Sequence, residues 1–398
     1  VGECRKEEGT RREEVESVLG FDLSDEQRAI QQVAHEFAEK EIRPVAHVYD
    51  EEERFPEDFV ERAFRAGLTY PYVPEEYGGQ GMDFLTACIV GEELAWGCCG
   101  FATILSANSL GVTPLLLAGS EEQKKKYLGE LTSRPSLAAM ALTEPGAGSD
   151  AAAVKTSARR EGGGYVINGT KCFISNGGIA DLTTVYASTD PSKGAKGLSC
   201  FLVPKGTPGL KGGKKERKMG VRASVTAEVI LDDCRVPAEN LLGEEGQGFR
   251  IAMMTLDKAR VSVAASSVGI ARAAWEAAVE YSRERVQFGR PIADFQAVQF
   301  MLADMAMDVE AGRLLYMKAA WLETQGRPFT RESAMAKTFC SDMVMRVTTD
   351  VVQVFGGYGY MRDYPVEKYM RDAKINQIWD GTNQIQRLVL ARSILRGV

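Results

Sequence analysis

The spacing of hydrophobic positions changes twice along the chain. Ser24-Asp-Glu-Gln27 is a capping box, in which each side chain satisfies the other residue's backbone N–H. Ile30, Val33, Phe37, Ala38 and Ile42 then recur at the spacing that lines one face of a helix. Pro71, Pro74, Gly78, Gly79 and Gly81 mark a loop, and Leu85 to Trp96 is helical again. Residues 22–137 read as an N-terminal α-helical domain.

From residue 138 the pattern shortens. The stretches 165–174, 182–187, 198–203 and 227–231 are apolar or β-branched runs, most of them bounded by glycine and proline. They predict a compact antiparallel β domain of seven or eight strands over residues 138–246, either sandwich or barrel. Helical spacing returns at Gly248, with breaks at Phe288-Gly-Arg-Pro291, Gly326-Arg-Pro328 and Gly356-Gly-Tyr-Gly359. Four long helices packed as a bundle are expected over residues 247–398. The fold class is therefore α+β with three domains: N-terminal helices, a middle β domain and a C-terminal four-helix bundle.

Composition narrows the function. A length of 398 residues suits several domains, and a net charge of −7 opposes a nucleic-acid backbone as the main partner. No apolar run reaches about 18 residues, so no membrane span is expected. Residues 1–21 mix acids and bases and read as a flexible tail rather than a signal peptide. The expected location is the cytoplasm of a bacterium, with the mitochondrial matrix as second choice. None of the eight cysteines forms a CxxC pair, and Cys98-Cys99 suits a disulfide poorly. They read as small buried residues in a reducing compartment. His35 and His47 are the only histidines, so Ser-His-Asp catalysis and histidine metal sites are not expected. His35 reads as a surface or boundary residue without a partner cluster.

Several segments carry candidate chemistry. Leu142-Thr-Glu-Pro-Gly-Ala-Gly-Ser-Asp150 is a glycine-rich loop whose backbone can approach a ligand closely. Lys171-Cys-Phe-Ile-Ser-Asn-Gly-Gly178 combines an aromatic ring with a hydroxyl. Arg283-Glu-Arg-Val-Gln-Phe-Gly-Arg-Pro291 offers arginines suited to bidentate phosphate contact. Gln353-Val-Phe-Gly-Gly-Tyr-Gly359 either approaches a ligand or ends a helix. Near the C-terminus, Ile375-Asn-Gln-Ile-Trp-Asp-Gly-Thr-Asn383 contains Asp380, which taken alone also reads as the N-cap of a last helix.

In this order, over about residues 22–397, the segments resemble the acyl-CoA dehydrogenases, closest in pattern to the medium- and short-chain branch. The resemblance implies FAD as cofactor. Leu142, Thr143, Gly148 and Ser149 of the first loop, with Phe173, Ile174 and Ser175 of the second, would lie along the flavin. Thr143 would hydrogen-bond the isoalloxazine, and Ser149 would lie by the pyrophosphate and border the substrate. Many relatives carry Trp and Thr where this chain has Phe173 and Ser175. Arg285, Gln287 and Phe288 would reach the FAD of a neighbouring subunit, with Gln353, Gly356 and Gly357 as further contacts. Thr382 and Gln384 complete the cofactor set. A homotetramer is implied, as are an acyl-CoA substrate and an electron-transfer flavoprotein as acceptor.

The implied reaction removes an α-proton and a β-hydride from a thioester, giving a 2-enoyl-CoA. Asp380 stands where most of the family carries Glu and would be the base. Ala259 occupies the other position from which relatives take a base and cannot serve. Arg260, Trp379 and Gly381 would contact substrate, and Ala102 and Ser106 would form the acyl-pocket floor. The shorter Asp leaves three readings: a compensating backbone shift, a cyclic or branched acyl group, or chemistry like that of the related nitroalkane oxidases. The basic run Lys211 to Lys218 reads as a solvated hairpin before it reads as a phosphate site.

Overall fold

The computed structural model describes residues 22–396; the predicted tail and Cys4 lie outside them. The N-terminal helices are α1 (Asp25–Phe37), α2 (Ala46–Glu51), α3 (Phe59–Arg65), α4 (Phe84–Gly97), α5 (Cys99–Ala118) and α6 (Glu121–Thr132). The capping box forms at the start of α1: Gln27 N donates to Ser24 Oγ and Ser24 N to Gln27 Oε1, each at 3.1 Å. Ala34, Ala38 and Ile42 face the core, whereas Val33 is exposed. The α4 and α5 helices carry few charges and are mostly buried. Among the described residues, α5 alone is long and apolar enough to cross a membrane; here it packs against the helix Gly248–Glu284 and the strand Ala138–Ala141.

The middle domain holds β1 (Ala138–Ala141), β2 (Ser157–Glu161), β3 (Gly164–Ser175), β4 (Leu182–Ser188), β5 (Leu198–Pro204), β6 (Leu210–Lys215), β7 (Thr226–Pro237) and β8 (Leu241–Leu242). They form one eight-stranded sheet, β6-β7-β3-β2-β4-β5-β8, with β1 beside β4. Most of its pairings are antiparallel, as expected, but two are not. The β1–β4 pair is parallel from Ala138↔Leu182 to Ala141↔Val185, and β2 meets β4 in parallel at Ser157↔Ser188. A long crossover, rather than a tight turn, separates β1 from β4, and parallel neighbours require such a connection. The basic run on β6 is paired outward, with Lys211–Asp232 at 3.1 Å and Lys214–Glu216 at 2.9 Å.

The C-terminal domain is built on α7 (Gly248–Glu284), α8 (Gln296–Thr324) and α9 (Thr330–Phe355). Between α7 and α8 lies a short hairpin, β9 (Val286–Gln287) with β10 (Arg290–Pro291). The fourth bundle helix is shorter than the expected long one: α11 (Asn383–Arg396) has 14 residues, and the small helix α10 (Val366–Ala373) precedes it. The glycine breaks at 326 and 356 fall just beyond the ends of α8 and α9.

A buried polar network joins the first and last domains. Glu92 of α4 accepts from Arg313 Nη2 and Tyr316 Oη at 2.6 Å and from Arg272 Nη1 at 2.9 Å. Glu93 lies 2.8 Å from His35 Nδ1 and also accepts from Gln31 and Arg272. His35 therefore has the partner cluster that local sequence does not reveal, while His47 is exposed. The seven described cysteines are buried and free.

Candidate active site

The chain from Gln377 to Arg387 positions Asp380. Asp380 adopts φ 51° and Gly381 φ 90°, so two successive residues are left-handed. A non-glycine residue enters that region only when its surroundings hold it there. At Gly381 the positive φ favours glycine, and a Cβ would also press on the Gln386 amide, 2.4 Å away. Thr382 Oγ1 accepts from Ile385 N at 3.3 Å and supplies the N-terminal cap of α11. The capping reading of Asp380 is thereby replaced. Gln386 Nε2 donates to the Gly381 carbonyl at 3.1 Å.

The Asp380 carboxyl retains some accessible surface but is packed deeply among protein atoms. Burial raises its pKa above the ordinary aspartate value, against the opposing pull of Lys337 and Arg260. Arg260, on α7, donates through Nη1 to Asp257 Oδ1 at 2.6 Å. Its Nε and the indole Nε1 of Trp379 are buried donors without a protein acceptor. Lys337, which sequence reasoning missed, donates to Gly381 O at 2.8 Å and Asn383 Oδ1 at 2.9 Å. Its one signal is a lone lysine among Ala334, Met335, Ala336 and Phe339.

The first two predicted loops lie side by side. Cys172 N donates to Thr143 O at 3.0 Å, and Lys171 Nζ to Leu142 O at 3.0 Å. Glu144 accepts from Lys171 Nζ at 2.8 Å, Lys155 N at 2.7 Å and Thr156 N at 2.9 Å. Thr143 and Ser175 are half-buried, Gly148 and Ser149 are exposed, and Ile174 is buried. Phe173 is exposed and left-handed, with φ 59°. Of the proposed pocket-floor residues, Ala102 is buried; Ser106 is exposed and its hydroxyl donates to Thr103 O at 3.2 Å.

The third and fourth segments meet elsewhere. Arg285, Gln287, Gly356 and Gly357 line a cavity of about 550 Å³ with Tyr281, Phe355 and Tyr358. Tyr281 and Phe355 stack with centroids 4.0 Å apart, and Arg285 lies 5.2 Å over Tyr358. These aromatics were not predicted as site residues. Phe288 lies outside the cavity lining at the hairpin tip, 94% exposed. Gln353 and Gln384 are also exposed. Cβ atoms at Gly148, Gly356 and Gly357 would meet nothing within 4 Å. These open glycine backbones, the cavity and the two orphaned buried donors fit a large cofactor and substrate bearing acceptor atoms.

Three family models match in order. The acyl-CoA dehydrogenase N-terminal domain covers residues 24–135, the middle domain 139–234 and the C-terminal domain 246–395. The chain is 48% identical to a short-chain specific acyl-CoA dehydrogenase of Megasphaera elsdenii, over 95% of this chain and 100% of that protein. It superposes on the butyryl-CoA dehydrogenase of that organism with TM-score 0.93 at 47% identity, covering 95% of this chain and 100% of the other. It also matches a chain in a structure described for the electron transferring flavoprotein of Acidaminococcus fermentans. There the TM-score is 0.94 at 50% identity, again covering 95% and 100%. Fold and site thus define a flavoprotein oxidoreductase of acyl thioesters. The chain belongs to the acyl-CoA dehydrogenase family, whose members use FAD.

Proposed function

We propose that this enzyme removes hydrogen across the α,β-bond of an acyl-CoA and passes the electrons to an electron-transfer flavoprotein. When bound, FAD supplies the acceptor for the β-hydride. Asp380 takes the α-proton. Its backbone N–H donates to the thioester oxygen as negative charge develops there. Leu142, Thr143, Gly148, Ser149, Phe173, Ile174 and Ser175 hold the flavin end, while Thr382 and Gln384 lie beside the base. Arg285, Gln287, Gly356 and Gly357 hold the adenine end. Trp379, Arg260 and Gly381 orient the substrate. The observation that carries the reading is the deeply packed carboxyl of Asp380, raised in pKa by burial beside unused donors. The match to a chain from an electron-transfer flavoprotein structure supports the acceptor.

Asp380 and Ala102 favour a second reading of the substrate. A base shorter than Glu, and a small residue at the pocket floor, suit an acyl group that is cyclic or branched. A nitroalkane-oxidase-like reaction is the alternative that uses the same Asp. Exposed Phe288, and the apolar row Phe300, Met307, Leu314 and Trp321 on α8, support a homotetramer. The test is anaerobic bleaching of the flavin band at about 450 nm by straight, branched and cyclic acyl-CoAs. Bleaching by one class, lost in Asp380→Asn, is expected. Absence of bleaching by every thioester in FAD-loaded protein would overturn the assignment.

A further inference from the structure

Lys337 lies on an otherwise apolar stretch of α9 and is completely buried. A buried ammonium persists only where acceptors and countercharge compensate it. Its acceptors, Gly381 O and Asn383 Oδ1, come from the two sides of Thr382, immediately after Asp380. Other residues of α9 extend the hold. Ser341 Oγ donates to Asn383 Oδ1 at 2.9 Å. Asp342 accepts from Gln377 Nε2 at 2.7 Å, Asn383 Nδ2 at 2.8 Å and Arg387 Nη2 at 2.6 Å. One helix therefore grips the chain before and after the left-handed Asp380.

The charges facing Lys337 are Asp380 from the loop before α11, Arg260 from α7 and Asp342 from α9. Burial depresses the Lys337 pKa to about 8; Asp380 and Asp342 oppose that shift and Arg260 adds to it.

We propose that Lys337 is a positioning residue for proton abstraction: it holds the Gly381 carbonyl and the Asn383 side chain so that the Asp380 carboxylate is presented to substrate, and its charge favours the ionised base. This rests on Asp380 being the base. The same face of the ammonium thus serves two needs. It adds a charged donor to the Gly381 carbonyl, which Gln386 also reaches, and to the Asn383 amide oxygen, which Ser341 also reaches, and it places positive charge near the carboxylate.

The test uses FAD-loaded enzyme and anaerobic bleaching across pH. The probes are butyryl-CoA, an α-methyl-branched acyl-CoA and a ring-bearing acyl-CoA, of which the one bleaching wild type fastest is carried forward. Lys337→Met is expected to retain FAD, to bleach about tenfold more slowly or worse, and to need a higher pH for half-maximal rate. Lys337→Arg keeps the charge and should leave that midpoint in place while slowing the rate. An unchanged rate in Lys337→Met, or a slower rate with an unmoved midpoint, would overturn the proposal. If Lys337→Met does not accumulate folded, Asn383→Ala decides: bleaching slowed several-fold with FAD retained supports the clamp, and a wild-type rate overturns it. Asp380→Asn separates the two readings. If it still bleaches, the base assignment has failed; if it is inactive while Lys337→Met behaves as wild type, only the role of Lys337 has failed.

Discussion

Lys171 and Glu144 meet at 2.8 Å with no exposed side-chain surface on the lysine. The pair joins the two loops assigned to the flavin, because Lys171 also donates to the carbonyl of Leu142. Glu144 in turn holds the backbone of Lys155 and Thr156. A salt bridge of this kind gives position more than net stability, since desolvation offsets much of the attraction.

Lys171→Met should therefore destabilise the protein and loosen the flavin loops. Removing one partner of a buried pair costs about 3–5 kcal/mol. Denaturant unfolding should show the loss, and dialysis should strip FAD faster than from wild type. Burial depresses the lysine to about 8, against the pull of Glu144, from an unfolded value of 10.5. Between those values the unfolded chain binds more protons, so this group's contribution to stability rises with pH. The methionine variant should lack that rise.

Asp380→Asn should abolish flavin bleaching while raising the unfolding temperature at neutral pH. Burial raises the folded pKa of Asp380 above 3.8, with Lys337 and Arg260 opposing it. Across the window above 3.8 the folded state holds the proton more tightly, so this carboxyl's contribution falls as pH rises through it. A neutral amide removes that cost. Thermal scans of wild type and variant at acid and neutral pH check the direction: the gain should shrink at acid pH.

Much of the fold was legible because its signals are local. The capping box at Ser24 and Gln27 and the glycines after α8 and α9 act within a few residues. The resemblance drew attention to Asp380, whose capping alternative was separable only by geometry, where Thr382 takes the cap. The parallel pairing of Ala138–Ala141 had no local signature, since an alanine-rich strand carries little β preference and its partner lies beyond a crossover. The partners of His35 and Lys337 were hidden for a similar reason. Glu93 is 58 residues from His35, and Asn383 is 46 from Lys337.

Phe288→Ala tests whether the hairpin tip docks on another copy of the chain. The ring is 94% exposed at a left-handed residue, an arrangement that leaves a large apolar group in water. Light scattering after chromatography should show a weaker oligomer, with FAD lost in parallel if the hairpin reaches a neighbour's cofactor. An unchanged mass and unchanged FAD content would remove Phe288 from the interface.

Asp380→Glu addresses the substrate. The added methylene extends the carboxylate by about 1.5 Å. If the short side chain makes room for a ring or branch at the α-carbon, Glu should speed bleaching by butyryl-CoA. It should also slow bleaching by the bulkier thioesters, by about 10²-fold where the misplacement is a full ångström. If instead the left-handed backbone at Asp380 already advances the carboxylate, Glu overshoots every substrate and all rates fall together. The ratio of bleaching rates between butyryl-CoA and a ring-bearing acyl-CoA, compared in wild type and variant, separates these outcomes because changes in FAD loading cancel within each protein.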